Sequence, residues 1–363
     1  MSGRLRVAVL AGGRSSEHAI SLASAHSVLA ALDPGRYETT TIEIARDGRW
    51  ELANGVRPLA ASTDLGSDPT GLTPTANGLA AMEESREDTI ESLPVVADSP
   101  PAAVLGHIDV VLPILHGPFG EDGTVQGLLE LADIPYVGAG VAASALCMDK
   151  DLFKAVLRDR GIPVAQNVTL RDGDPPDHAF PYPVFVKPAR LGSSVGISKV
   201  HDENELEAAI ELARRHDDKV LIEECVPGTE VECGVLGNRD LIASVVGEIV
   251  AHAEWYDYSA KYDEGGMELV IPARISPQAT EQVRRVAVES FVATECEGMA
   301  RIDLFVRPDG EVVVNEINTI PGFTATSVYA KLFEASGIPY AELLDRLIEL
   351  ALERHERRSG LEY

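Results

Sequence analysis

The 363-residue chain is long enough for two or three domains, and its 45% hydrophobic and 25% charged content is that of an ordinary globular protein. A formal net charge of -27 argues against general binding to nucleic acid or an anionic membrane, because phosphate surfaces would repel it, so an anionic ligand needs a local basic pocket. No apolar run approaches the roughly 20 residues that span a bilayer, and the stretch MSGRLRVAVLAGG lacks a signal peptide's cleavage pattern, which makes a cytoplasmic location the expectation.

Leu5 to Leu10 predicts a buried strand, followed by Gly12-Gly13 and a helix from about Glu17 to Leu32. That is the start of an open α/β domain, although one Gly-Gly pair without the full GxGxxG does not make a dinucleotide site. Tyr37 to Ile44 predicts a second strand. Asn54 to Ala103, rich in Pro, Gly, Ser, Thr, Ala and acidic residues, is too long for an ordinary connection and is taken as a surface insertion of the first domain. Ile108 to Leu115 predicts a third strand running into HGPFGEDGTVQG, a glycine-rich loop before a helix near Thr124. Open α/β sheets place ligands at the carboxyl ends of their strands, so His116 and Glu121 become candidates beside Glu17, with a structural histidine as the alternative for His116.

A second unit starts near Ala139. Met148 to Arg160 predicts a helix with Leu152, Phe153, Val156 and Leu157 on its packed face and Gly161 as its stop. Lys150 in its first turn opposes the helix macrodipole by about 0.3 to 1 kcal/mol, which a nearby anion would explain and an exposed position would tolerate. In PYPVFVKPARLGSSVGISKV, Gly192 and Gly196 let backbone N–H groups approach an anion, Ser193 and Ser194 add hydroxyls, and Lys187 projects from the incoming strand. This is the most plausible phosphate cradle in the chain. After a helix from Glu203 to Arg215 and a strand from Lys219 to Glu223, the stretch Glu224 to Gly228 reads as a hinge between domains.

The third unit contains a helix capped by Ser276 with Pro277 at its first position, and then two β-rich runs, RIDLFV and EVVVNEIN, around Pro308-Asp309-Gly310. With Asp309 and Gly310 as the central turn residues, Asp303 lies opposite Glu316 and Arg301 opposite Asn318, all on one face. Directly opposed carboxylates are destabilising unless something neutralises them, and a site with few protein oxygens suits Mg²⁺ carrying a nucleotide. The alternative is a solvated hairpin with scattered charges. Ile338 to Arg357 predicts a final amphipathic helix. Cys147, Cys225, Cys233 and Cys296 show no CxxC spacing and read as reduced packing residues.

The pieces GGRSSEHAISLAS, LHGPFGEDGTVQG, MDK, VFVKPARLGSSVGISKV, VLIEECVPGTEVECGVLG, YDYSAKY, RIDLF and NEINTIPGFTATS occur in an order that closely resembles the D-alanine:D-alanine ligase family of the ATP-grasp superfamily, along the whole chain except the insertion. The resemblance implies an α/β fold, α+β in its ATP-grasp part: an N-terminal domain over residues 1–138, then ATP-grasp domains over 139–229 and 230–363 that hold ATP between antiparallel sheets. It implies that Lys150, Lys187, Lys261 and the Ser194 loop contact ATP phosphates. Glu223, Glu224 and Val226 meet the adenine largely through backbone, and Glu230 accepts from the ribose. Asp303, Glu316 and Asn318 match ligands of two Mg²⁺ (or Mn²⁺) ions. Arg301 and the Gly322 N–H match oxyanion donors. Glu17, assisted by His116 and linked through Ser193 to Tyr262, matches the group that holds the first D-alanine, and Ser327 with the backbone near Val328 holds the second. Tyr262 favours a dipeptide over a D-alanyl-D-lactate product. A homodimer, a monovalent cation requirement and a product destined for peptidoglycan are further family expectations.

Overall fold

The computed structural model describes residues 3–53, 108–251 and 267–362. The insertion at 54–103 and the residues Lys261 and Tyr262 lie outside them. Three sheets are built.

The first sheet has strand order β3-β2-β1-β4, formed by β1 (Leu5–Gly12), β2 (Tyr37–Ile44), β3 (Trp50–Ala53) and β4 (Val110–Pro113). β1 pairs in parallel with both β2 and β4, while β3 closes the edge antiparallel to β2. A central parallel strand is covered on both faces, and β1 is apolar without interruption from Val7 to Ala11 for that reason. Val7, Val9 and Ala11 face one core, with helix α1 (His18–Ala31) and the C-terminal helix; Ala8 and Leu10 face another, with helix α2 (Thr124–Leu131). Gly12, at φ +87, brings the chain so close to β2 that an added Cβ would lie 2.4 Å from the Ile44 carbonyl oxygen.

Helices α3 (Val141–Met148) and α4 (Lys150–Asp159) follow. The helix expected over Met148 to Arg160 is α4, which starts at Lys150 because Asp149 leaves helical geometry and its carboxylate caps α4 by accepting from the N–H groups of Asp151 and Leu152; α3 ahead of it was not expected. The packed face also differs from expectation. Leu152 is 49% exposed, and Lys150, Phe153, Lys154 and Leu157 are the buried positions. The i, i+3, i+4, i+7 stripe is intact, but two of its members are lysines, which an apolar pattern does not reveal.

The second sheet has order β5-β8-β6-β7, all antiparallel, from β5 (Asn167–Leu170), β6 (Val184–Pro188), β7 (Ser198–Val200) and β8 (Val220–Glu224). Val184, Val186, Val220 and Ile222 bury one face against helix α5 (Glu203–Arg214). Strand alternation leaves Lys187 and Glu223 on the opposite face.

The third sheet has order β11-β10-β9-β12-β13, from β9 (Thr229–Gly237), β10 (Ile242–Ala251), β11 (Met267–Val270), β12 (Gly298–Val306) and β13 (Val312–Asn318). Helix α6 (Pro277–Ala293), capped by Ser276 with Pro277 at its start as expected, packs with α3 and α4 on the apolar face. Val231, Cys233, Ile302, Leu304, Val312, Val314 and Ile317 lie on that face. The other face carries Glu230, Glu232, Arg301, Asp303, Glu316 and Asn318. Helices α7 (Val328–Ala335) and α8 (Tyr340–Ser359) return the chain to the first sheet, where Leu343, Leu347 and Ala351 share the core of Val7 and Val9.

The hairpin reaches its expected pairing by an unexpected route. Arg307 N–H donates to Glu311 O at 2.8 Å and Gly310, at φ +90, closes a three-residue Pro308-Asp309-Gly310 loop, rather than a two-residue turn. That shifts Leu304 opposite Val314, but a β-bulge between Asp303 and Leu304 adds one residue on β13 and restores Asp303 opposite Glu316 and Arg301 opposite Asn318. The bulge is also what allows Val314 and Ile317, three positions apart, to face the same core.

Candidate active site

On the polar face of the third sheet, Arg301 forms a fork on Asp303, with Nε to Oδ1 at 2.7 Å and Nη2 to Oδ2 at 2.8 Å. Its Nε also lies 3.0 Å from a Glu232 carboxylate oxygen on the neighbouring strand. Burial works against the Arg301 charge, but Asp303 and Glu232 outweigh it and hold the guanidinium protonated. Asn318 donates through Nδ2 to Asp303 Oδ2 at 2.9 Å, leaving its amide oxygen as the group able to meet a cation. Lys150 Nζ lies 2.8 Å from Glu316 Oε1 and donates to the Leu191 carbonyl at 2.8 Å. The anion that the position of Lys150 called for is therefore Glu316.

The opposed carboxylates Asp303 and Glu316 are thus neutralised from two sides by the protein's own cations. Among the described residues no three histidine, cysteine, aspartate or glutamate side chains gather into a ready metal cluster. The hairpin offers two carboxylates and one amide oxygen, an all-oxygen set that fits a hard divalent cation in both donor type and charge.

The glycine-serine loop stands over this hairpin. Ser193 and Ser194 both take left-handed backbone at φ +55 and +58, and Gly196 follows at φ +71. Such non-glycine conformations cost about 1 to 3 kcal/mol each and recur at ligand clamps. Ser193 Oγ donates to Glu17 Oε1, tying the loop to the first sheet. Glu17 lies just ahead of α1, beside Ser15, whose hydroxyl donates to the His116 carbonyl at 2.7 Å.

His116 is 4% exposed and its Nδ1 lies 3.0 Å from the Ile320 carbonyl rather than on Glu17. Burial lowers the imidazole's pKa against the pull of Glu17, which favours the neutral ring, and Nε2 is buried with no hydrogen-bond partner among the described residues. Glu121 grips the same segment, accepting from Ile320 N–H at 3.0 Å and Gly117 N–H at 2.7 Å. Burial, reinforced by the charge of Glu17, pushes the Glu121 carboxyl up to about 8. A carboxyl raised in the folded state adds stability that is present in full below its unfolded value and lost as pH rises through the folded one. Between about pH 4.5 and 8 the parent should therefore lose stability relative to Glu121→Gln; urea unfolding of both across that range would show parallel profiles if the carboxyl were not raised.

Beyond Ile320, Gly322 sits where an added Cβ would be 3.4 Å from Ser327 Oγ. Ser327 is the residue before α7 and Val328 its first residue, so the positive end of the helix points at this corner. Ser327 Oγ accepts from Thr324 N–H at 2.9 Å.

At the other end of the cleft, Glu223 is 3% exposed and its side chain is fully engaged by Lys187 and Lys154, so only its backbone could meet a base. Glu224 accepts from Gln166 N–H and from Arg307 Nη2, each at 3.0 Å. Val226 packs with Ala165, Val313 and Phe305 in a small apolar cluster beside the hinge, and Glu230 pairs in register with Phe305. Lys261 and Tyr262 lie outside the described residues. Glu232 and Lys154 were not among the expected site residues. The Glu-Val-Glu alternation at 230 to 232 carried a signal for the first, and the i, i+4 spacing of Lys150 and Lys154 a signal for the second.

Family models described as the D-ala D-ala ligase N-terminus and C-terminus match residues 6–139 and 156–349. A D-alanine–D-alanine ligase of Mycolicibacterium gilvum is 48% identical over 98% of this chain and 99% of its own length. Among solved structures, the D-alanine-D-alanine ligase of Coxiella burnetii matches with a TM-score of 0.79 at 39% identity, covering 99% of this chain and 97% of its own. The VanG D-Ala:D-Ser ligase of Enterococcus faecalis matches with a TM-score of 0.78 at 36% identity, covering 96% of this chain and 100% of its own.

Proposed function

We infer the roles of these residues from one premise: the chain belongs to the D-alanine–D-alanine ligase family and joins two D-alanine molecules in an ATP-dependent reaction. The observation that carries the site assignment is the double contact of Lys150, whose ammonium touches Glu316 of the hairpin and the carbonyl of Leu191 at the mouth of the glycine-serine loop. Acceptor carboxylates and phosphate cradle meet at one cation.

In this assignment ATP lies between the polar faces of the second and third sheets. Its adenine is at the hinge of Glu223, Glu224 and Val226, its ribose at Glu230, and its phosphates at Lys150, Lys187, Lys261 and the Ser193-Ser194 backbone. Asp303, Glu316 and Asn318 hold Mg²⁺ or Mn²⁺, which when bound supplies charge neutralisation and alignment for the phosphate oxygens. Glu17 holds the ammonium of the first D-alanine, with the neutral His116 behind it. The carboxylate of that D-alanine attacks the γ-phosphate, forming an acyl phosphate and releasing ADP. Phosphoryl transfer needs little covalent help from protein, and positioning with cationic charge does most of the work.

The amine of the second D-alanine then attacks the acyl carbon. Its carboxylate is held by Ser327 and the Val328 backbone at the start of α7, where the helix dipole favours an anion. Negative charge develops on the acyl oxygen, and Arg301 with the Gly322 N–H stabilises it until phosphate departs. The product, D-alanyl-D-alanine, is a peptidoglycan precursor. Residues 1–138, 139–229 and 230–363 are the corresponding three domains, and the homodimer belongs to the same inference.

Purified protein is expected to release ADP and phosphate only with D-alanine present, to yield the dipeptide by mass spectrometry, and to stop on EDTA treatment with recovery in Mg²⁺ or Mn²⁺. ATP turnover that ignored D-alanine would sink the proposal. The similarity to a D-Ala:D-Ser ligase makes the acceptor a second question. Product analysis with D-alanine, D-serine and D-lactate at several pH values answers it, with the dipeptide D-alanyl-D-alanine expected to dominate.

A further inference from the structure

Lys154 is wholly buried, at 0% exposure, in the stripe of α4 that also holds Phe153 and Leu157. Lysine is almost never fully buried without a partner. Its ammonium pairs with one carboxylate oxygen of Glu223, and the other oxygen of Glu223 pairs with Lys187. One carboxylate is therefore shared by two ammonium groups, with all three side chains no more than 8% exposed.

We propose that Lys154 is a positioning residue for the nucleotide: by taking half of the Glu223 carboxylate it leaves Lys187 with the net positive charge that the phosphates of ATP require. The proposal rests on the placement of ATP given above. A buried Lys187–Glu223 pair alone would be electrically neutral, and a phosphate would have to compete with Glu223 for the same ammonium. With Lys154 present the trio carries a single positive charge in a poorly solvated place, where charge acts strongly. Burial, with Lys187 and Lys150 close by, pushes the Lys154 pKa below the ordinary lysine range. Glu316 opposes that push, and direct contact with the Glu223 carboxylate favours the charged amine.

Removing the charge of Lys154 should weaken ATP and spare D-alanine, and removing the charge of Glu223 as well should restore the single positive charge. In Lys154→Met, KM for ATP is expected to rise about 10-fold or more, with kcat and KM for D-alanine within about 3-fold of the parent. The double variant Lys154→Met with Glu223→Gln should recover part of the ATP affinity that Lys154→Met loses. Lys154→Arg should behave as the parent does. ATP affinity measured by calorimetry without D-alanine gives the same comparison independently of turnover, so a failure of the ligase assignment is seen separately as missing D-alanine-dependent phosphate release. An unchanged ATP affinity in Lys154→Met, or a double variant no better than the single one, overturns the proposal. So does failure of both Lys154→Met and Lys154→Gln to fold, because Lys154 would then be a structural strut.

Discussion

Arg301→Ala should lower the rate of D-alanine-dependent ADP release by about 10³-fold or more, the largest loss expected of any single substitution in this chain. The side chain is placed to stabilise an oxyanion and is also the cation against which Asp303 is forked and Glu232 is packed. Its removal leaves two carboxylates on neighbouring strands, with Glu316 opposite one of them, and no guanidinium between them. A buried charge left without its partner costs about 3 to 5 kcal/mol, so the urea midpoint should fall together with the rate. Arg301→Lys separates the two effects. A lysine restores charge but not the planar fork, so it should recover much of the stability and little of the rate. An alanine variant that kept a tenth of the parental kcat would remove Arg301 from the reaction.

Glu316→Ala should cost about 10² to 10³-fold in kcat and shift the Mg²⁺ dependence to higher concentration. Glu316 pairs in register with Asp303 and forms an ion pair with Lys150. Without it Lys150 keeps the Leu191 carbonyl but loses its anion, and the hairpin loses one of the two carboxylates able to hold a divalent cation. Glu316→Gln preserves the shape and should recover stability without recovering the metal dependence. Titration of activity with Mg²⁺ and then Mn²⁺ decides the matter, since a curve that overlays the parent's would place the metal elsewhere.

The hairpin shows how much of this was legible in the amino-acid order. Its existence and the facing of Asp303 and Glu316 followed from two β-rich runs around Pro-Asp-Gly. The turn, however, takes three residues rather than two, and the register returns only because the bulge at β13 adds one residue back. Strand periodicity alone would have sent Val314 and Glu316 to the same face. The bulge is stabilised by what lies on either side of the sheet, the α6 core on one and charged partners on the other, and neither is a neighbour in sequence.

The helix after Asp149 makes the same point about burial. Apolar counting put Leu152 on the packed face, whereas the stripe that turns inward is Lys150, Phe153, Lys154 and Leu157. A lysine is ordinarily assigned to solvent, and only the arrival of Glu223, 69 residues later, and of Glu316 makes burial of two lysines tolerable.

By itself the sequence determined many of the elements, though not β3, α3, β5 or α7, together with the Ser276 and Pro277 helix start, the glycine positions, the apolar core of strand β1, and the residue types that belong in a phosphate and metal site. Each of these depends on residues a few positions apart, within reach of local sterics and hydrogen bonding. Only the tertiary structure decided which charges meet: Lys150 with Glu316, Lys154 and Lys187 with one carboxylate, Ser193 with Glu17 across 176 residues, and Glu121 with Ile320 across 199. Those pairings depend on how three sheets stack against one another, and the stacking is set by buried surface summed over the whole chain, which no local pattern encodes.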